Sequence, residues 1–157
     1  MSHLYTLLLA PPPLSSTERT HLRIDNSWLP GAGTGLFAAA TIPADTCICV
    51  YRGDCLTTRQ ALRLADKGYL MRLGPQRYID ARRHLYVLAR YINDCRTASG
   101  HNVVFDKQPE HWRARVMATR EIHPGEEIFV DYGRIYWACL RPSRISETEL
   151  RRKRGLL

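Results

Sequence analysis

The chain lacks most of the features that would make it secreted, metal-built or membrane-spanning. Its five cysteines, at 47, 49, 55, 95 and 139, form no C-x-x-C pair, and no histidine stands at a zinc-finger spacing from them. An odd, scattered set of thiols argues against a disulfide framework and points to a reducing compartment with no structural metal. Cys47 and Cys49 alternate on a strand-like segment, so both are expected to pack on one face as buried thiols. The N-terminal "MSHLYTLLLAPPPLSS" has a short apolar run without a cationic flank, and Pro11 to Pro13 stop it too soon to cross a bilayer. Residues 1–18 therefore read as an arm and stiff linker of a soluble intracellular protein. Repeats and strand–helix alternation are missing too, which removes solenoids and doubly wound sheets.

Acidic residues are the scarcer charge. Lys and Arg number 23 against 15 Asp and Glu, a net +8, and the excess is uneven. Arg141 to Leu157 holds six basic and two acidic residues, densest at Arg151-Arg152-Lys153-Arg154. Such a segment, 141–157, reads as a solvated tail, and its charge suits contact with nucleic acid or an acidic assembly, or a nuclear address.

What is present is one domain's worth of ordinary globular sequence, 157 residues with 45% apolar and 24% charged side chains. Strand-like pieces follow one another: "RTHLRIDNSW", Leu36 to Ala39, Thr46 to Tyr51, "RYIDA" at 77–81, and "IFVDYG". In "WRARVMATREI", Trp112, Ala114, Val116 and Ala118 alternate with Arg113, Arg115 and Met117, the period of a half-exposed strand. Thr58 to Lys67 is the best helix candidate, with Thr58 as cap, a stripe of Ala61, Leu62, Leu64 and Ala65, and Gly68 to end it. Many short strands with one or two helices predict a mainly β fold.

Two stretches carry chemistry. "GAGTG" at 31–35 lacks the apolar strand before it and the helix after it that a dinucleotide loop needs. It is either a turn between strands or a place where the backbone can approach a ligand closely. "ARYINDCRTASGHN" at 89–102 ends the apolar run Leu85 to Ile92 on Asn93-Asp94, side chains costly to bury unpaired. A turn and a pocket wall are both open readings.

In order along the chain stand "GAGTGLFAAATIPAD", "VYRGD", "RYIDARRHLYVLARYINDC" and "ATREIHPGEEIFVDYG". Taken together, from about Gly31 to Gly133, they resemble the SET-domain protein lysine methyltransferases. That resemblance implies small β-sheets around a pseudoknot, over about 19–140, where the N-D-C and D-Y-G segments meet. It implies S-adenosylmethionine as cofactor, with Ala32, Gly33 and Thr34 against its methionine end, Tyr69 as an aromatic contact, and Asn93 and Asp94 in place of the family's Asn-His pair. Tyr51 and Tyr132 match tyrosines of the lysine channel, Tyr132 being closest to the transferred methyl and to the cofactor. Val130 stands where the family usually has Tyr or Phe, which implies room for di- or trimethylation.

The departures are informative. Asp94 replaces a histidine, and the cysteine-rich zinc modules that often flank the domain are missing. Tyr136 and Trp137 could close the cofactor pocket instead, or simply pack as core or at an oligomer contact. The resemblance implies a protein substrate, a histone tail or nucleosome, in the nucleus, with DNA contact through the basic tail and a possible homodimer. The alternative is a SET-fold chromatin or nucleic-acid-binding module without catalysis.

Overall fold

The computed structural model describes residues 21–138 and 146–156. The expected N-terminal arm, Cys139 and the boundary near 140 lie outside the described residues.

The described residues form three small antiparallel sheets. Strands β1 (Leu22–Asn26) and β2 (Thr34–Ala38) make a hairpin, pairing Leu22 with Ala38 and Asn26 with Thr34. The second sheet has the order β3-β8-β7, from β3 (Cys47–Tyr51), β7 (Val103–Gln108) and β8 (Arg113–Ala118). The third has the order β4-β6-β5, from β4 (Asp54–Leu56), β5 (Leu70–Gly74) and β6 (Arg77–Asp80). Among the described residues, three short α-helices complete it: α1 (Thr58–Arg63), α2 (Arg134–Ala138) and α3 (Glu147–Lys153). This is the mainly β architecture expected. The arginine-alternating strand is β8, whose Ala114, Val116 and Ala118 are buried while Arg113, Arg115 and Met117 are half-exposed.

Four local expectations are corrected. Helix α1 begins at Thr58 but ends at Arg63 rather than Lys67, and Thr57, not Thr58, is its cap. The Thr57 hydroxyl accepts from the Gln60 N–H, and the Gln60 side chain accepts from the Thr57 N–H at 2.8 Å. So short a helix buries only Ala61, and Leu62 is 70% exposed. A bulge between Cys47 and Cys49 breaks their alternation, so Ile48 and Cys49 are both buried while Cys47 is only half-buried. In the run from Leu85, a 3-10 turn at Leu88–Tyr91 buries Val87, Ala89 and Ile92 but leaves Leu85 exposed. Finally, part of the supposedly solvated tail is folded: Ser146 caps α3, and Leu150 is 1% exposed.

The segment after Gly125 makes isolated bridges rather than a strand, Phe37 with Glu127 and Asn93 with Phe129. Its neighbours change at each step. Ile128 N–H donates to Leu36 on one side and Val130 N–H to Asn93 on the other. The buried Asn102 donates to the Glu127 carbonyl and accepts from the Phe129 N–H. Both ends of the 93–102 loop thus bond to the closing segment, where the N-D-C and D-Y-G stretches were expected to meet.

Two apolar clusters flank this junction. The larger includes Leu36, Ile48, Ile79, Ile92, Val116 and Ile128. The smaller joins Leu29, Cys95, Phe129 and Leu150, with Trp28 against it.

Candidate active site

The loop from β1 to β2 is a tight return. Ser27 N–H donates to Gly33 and Ala32 N–H to Leu29, while Gly31 and Gly33 take φ of 78° and 72°. Only glycine adopts this backbone freely. Ala32, Gly33 and Thr34 are exposed, and no atom lies within 4 Å of where a Gly33 side chain would begin. A ligand can therefore reach the backbone itself.

Beneath the loop lies Glu127, which is fully buried. Its carboxylate accepts from the Ser27 hydroxyl at 2.7 Å, the Trp28 N–H at 2.6 Å and the Asn93 amide at 3.2 Å. The same Asn93 amide donates to the Thr34 carbonyl at 3.0 Å. Gly35 makes the space, since a methyl there would sit 2.2 Å from Glu127 Oε1. Burial raises the Glu127 pKa, opposed in part by these donors. Glycine loop, Asn93 and closing segment are thereby pinned to one carboxyl group.

Asp94 is buried but far from unpaired. Oδ1 accepts from the Arg96 N–H at 2.7 Å and His101 Nε2 at 2.8 Å. Oδ2 accepts from the Tyr132 N–H at 2.9 Å and Trp137 Nε1 at 2.6 Å. Four donors fill a carboxylate's ordinary capacity. Burial by itself would raise this carboxyl group's pKa, but His101, the Tyr132 N–H and Trp137 outweigh it and hold the pKa below the usual value. The same bond, with the Cys95 thiol beside it, pushes His101 up to about 10. The Asn-Asp side chains therefore find their partners inside the protein, which accounts for their burial without appeal to a ligand. Asn93 Oδ1 alone accepts no bond among the described residues, and it adjoins the glycine loop through its own amide nitrogen.

Three tyrosines far apart in sequence gather on the other side of this junction. Tyr51, at the end of β3, is buried and donates to the Tyr69 carbonyl at 2.7 Å. Tyr132 donates its hydroxyl to the Ile92 carbonyl, while Trp137 stacks on its ring at 5.6 Å and Tyr136 meets it edge-on at 4.7 Å. Burial raises both phenols above the usual value, with Asp80 adding to the effect on Tyr51 and Tyr136 and Tyr51 adding to that on Tyr132. Both stay protonated at neutral pH. Val130 is buried beside them in the larger apolar cluster. Tyr69 is half-buried, with the Arg90 guanidinium over its ring at 4.2 Å.

The structure thus brings the glycine loop to Asn93 and brings Tyr51, Tyr69 and Val130 into the cluster against Tyr132. Tyr136 and Trp137 of α2 pack on the Tyr132 ring. Glu127, Ser27, Asn102 and His101 were not anticipated. A signal existed for Glu127, a carboxylate leading into the apolar "IFV", and for His101-Asn102, polar residues closing a polar loop. Among the described residues, Asp94, Cys95 and His101 also cluster as a metal could require, with ligand atoms within 4.8 Å of one another. The four N–H donors on Asp94 satisfy that carboxylate without an ion.

Comparison with known proteins agrees with this geometry. The SET domain family model matches residues 33–133. Solved structures of similar fold include an active polycomb repressive complex 2 in the basal state, 28% identical over 72% of this chain with a TM-score of 0.59. The Chaetomium thermophilum polycomb repressive complex 2 is 27% identical over 72% of this chain, with a TM-score of 0.57. This chain spans 15% of the length of the matched chain in each. No curated protein matches the sequence. With the family model running from the glycine loop through the last residue of the D-Y-G segment, the chain belongs to the SET-domain family.

Proposed function

We propose that this protein is an S-adenosylmethionine-dependent protein-lysine N-methyltransferase acting on a histone lysine in the nucleus. The observation that carries the reading is the convergence of an open glycine loop, Asn93 and two protonated tyrosines, Tyr51 buried and Tyr132 half-buried, at one junction. The residues fit the cofactor. The loop at Ala32, Gly33 and Thr34 leaves its backbone open to a ligand, Asn93 Oδ1 is an acceptor suited to an ammonium group, and Tyr69 and the backbone at Asp94 complete the set. Bound S-adenosylmethionine supplies an electrophilic methyl group on a sulfonium.

The protein's part is positioning and desolvation. A free lysine near pKa 10.4 is almost wholly charged at neutral pH, and an apolar channel favours its neutral, nucleophilic form. Tyr51 and Tyr132 have committed their hydroxyl protons to the Tyr69 and Ile92 carbonyls. Each oxygen is left as an acceptor that can orient the incoming amine. With their pKa values raised by burial, neither serves as a general base. Holding the reacting atoms in line accounts for several kcal/mol of barrier lowering in such transfers. Val130 is smaller than an aromatic residue and carries no hydroxyl, so the channel accommodates an amine that is already methylated.

DNA contact through residues 151–154 has limited charge to draw on. Arg151 and Arg152 pair with Glu147 and Glu149, and Arg154 with Glu126.

The test is transfer of a labelled methyl group from S-adenosylmethionine to nucleosomes and core histones, with the site read by mass spectrometry. Label on a lysine, lost in Tyr132→Phe, is the expected result. Label that persists undiminished in Tyr132→Phe would remove Tyr132 from its role. Failure of the wild-type protein to bind the cofactor would favour a non-catalytic SET-fold module instead.

A further inference from the structure

Where the family resemblance would place a histidine after the asparagine this chain has Asp94, and an imidazole lies against its carboxylate. His101, seven residues on, returns to bring Nε2 within 2.8 Å of Asp94 Oδ1. The other oxygen of that carboxylate takes the Tyr132 N–H and the Trp137 indole N–H. Tyr132 is consequently held at three points by groups that lead back to one loop. Its N–H goes to Asp94, its hydroxyl to the carbonyl of Ile92 and its ring face to Trp137, itself tied to Asp94. Remove the positive partner and a buried carboxylate is left with three neutral donors, in a place where unpaired charge is costly.

We propose that His101 and Trp137 are positioning residues for Tyr132, acting through the Asp94 carboxylate. The inference rests on the methyl-transfer reading for its consequence in rate, and on geometry alone for the coupling itself. Arg96 adds to the arrangement from outside, its guanidinium lying 5.0 Å over the Trp137 ring. A tryptophan and a histidine thereby set the pose of Tyr132. His101 is reachable: it lines an open pocket of about 630 Å3 together with Asp94, Arg96, Asp131, Arg134 and Trp137. An added imidazole can enter there.

The experiment uses the full chain and two readouts. The first is the 15N–1H spectrum, in which three tryptophans give three indole signals and Trp137→Phe identifies its own. In His101→Ala the Trp137 indole and Tyr132 amide signals should shift while those of Trp28 and Trp112 stay in place. The second is kcat, expected to fall about tenfold or more, the range for losing a hydrogen bond to a charged group. KM for the peptide should change little, and imidazole should restore both spectrum and rate. In the double variant His101→Ala/Trp137→Phe the loss should be smaller than the product of the single losses, since both act through one carboxylate.

Trp137 and Tyr132 signals that stay put in His101→Ala would overturn the proposal, whatever the rate. So would a shift that leaves kcat within twofold of an active wild type. Should His101→Ala fail to fold, His101→Gln, which keeps a neutral N–H donor, carries the same comparison. If the wild type transfers no methyl group while the spectral coupling holds, the enzyme reading falls and the placement of Tyr132 by His101 stands.

Discussion

Leu150 decides whether the C-terminal segment is a tail or part of the body. Helix α3 has only seven residues, too few to be stable alone in water, so its helicity depends on docking. Leu150 is its buried contact, set among Leu29, Cys95 and Phe129. The fit is close: a methyl added at Gly100 would lie 2.8 Å from a Leu150 methyl and 2.4 Å from Cys95 Sγ. At the other end, Arg154 donates to the Gly100 carbonyl at 2.9 Å and lies 3.0 Å from Glu126.

Leu150→Ala should cost about 2–4 kcal/mol, within the range for buried leucines but capped by the option of letting a short helix go. For a chain of this size that is a fall in Tm of roughly 5–15 °C. Arg152→Ala is the control. Its side chain is 72% exposed with one surface pair to Glu149, so it should stay within about 0.5 kcal/mol of wild type. Chemical denaturation of both variants, beside calorimetric titration with S-adenosylmethionine, measures the effect. Because Cys95 is bonded in sequence to Asp94, undocking should also weaken cofactor binding. Deleting 147–157 should do both, and so impair transfer even to a free peptide, contrary to what a solvated tail would do. If Leu150→Ala melts within a degree or two of Arg152→Ala, the docking argument is wrong.

Three further outcomes follow from the same geometry. Gly35→Ala should destabilise by about 2–4 kcal/mol through overpacking and lost buried hydrogen bonds, and Glu127→Ala in the same chain should relieve part of the clash; urea unfolding of the single and double variants checks this. Val130→Tyr should shift the product toward monomethyl-lysine in mass spectra, whereas an unchanged product state would place the channel elsewhere. His101, faced by Asp94 and Cys95, has a folded pKa of about 10 against an unfolded value near 6.5. Its contribution is therefore full below about pH 6.5 and fades by at most about 1.4 kcal/mol per unit as pH rises toward 10. The stability gap between wild type and His101→Gln should narrow over that window and not below it.

How far the sequence could be read tracks how far apart the partners are. The period of Arg113–Ala118 was legible because a strand's two faces are written in neighbouring residues. The family was legible because four motifs in order are hard to obtain by chance. The α1 cap was legible in principle, as Thr57 and Gln60 form a T-x-x-Q box, and it was misplaced by one residue because Thr58 fits a cap equally well. Beyond that range, local pattern fails for a physical reason. Ser27 meets Glu127 across one hundred residues, Tyr132 meets Asp94 across thirty-eight, and Arg154 meets Gly100 across fifty-four. A residue's type limits what partner it must have when buried, and only topology says which one it gets.

Asp94 makes the point. Its burial demanded donors, and a ligand was one way to supply them. The fold supplies four of its own, and among them is the main chain of the tyrosine assigned to the reaction. The departure from the family's histidine therefore does not leave an uncompensated charge at the site. The carboxylate at 94 meets the imidazole of His101 and is the acceptor for Tyr132 and Trp137. A neutral residue at 94 could accept from fewer of these donors, and His101 would then lose the anion that keeps it charged. Substitutions at 94 and 101 should accordingly be tolerated together more readily than apart.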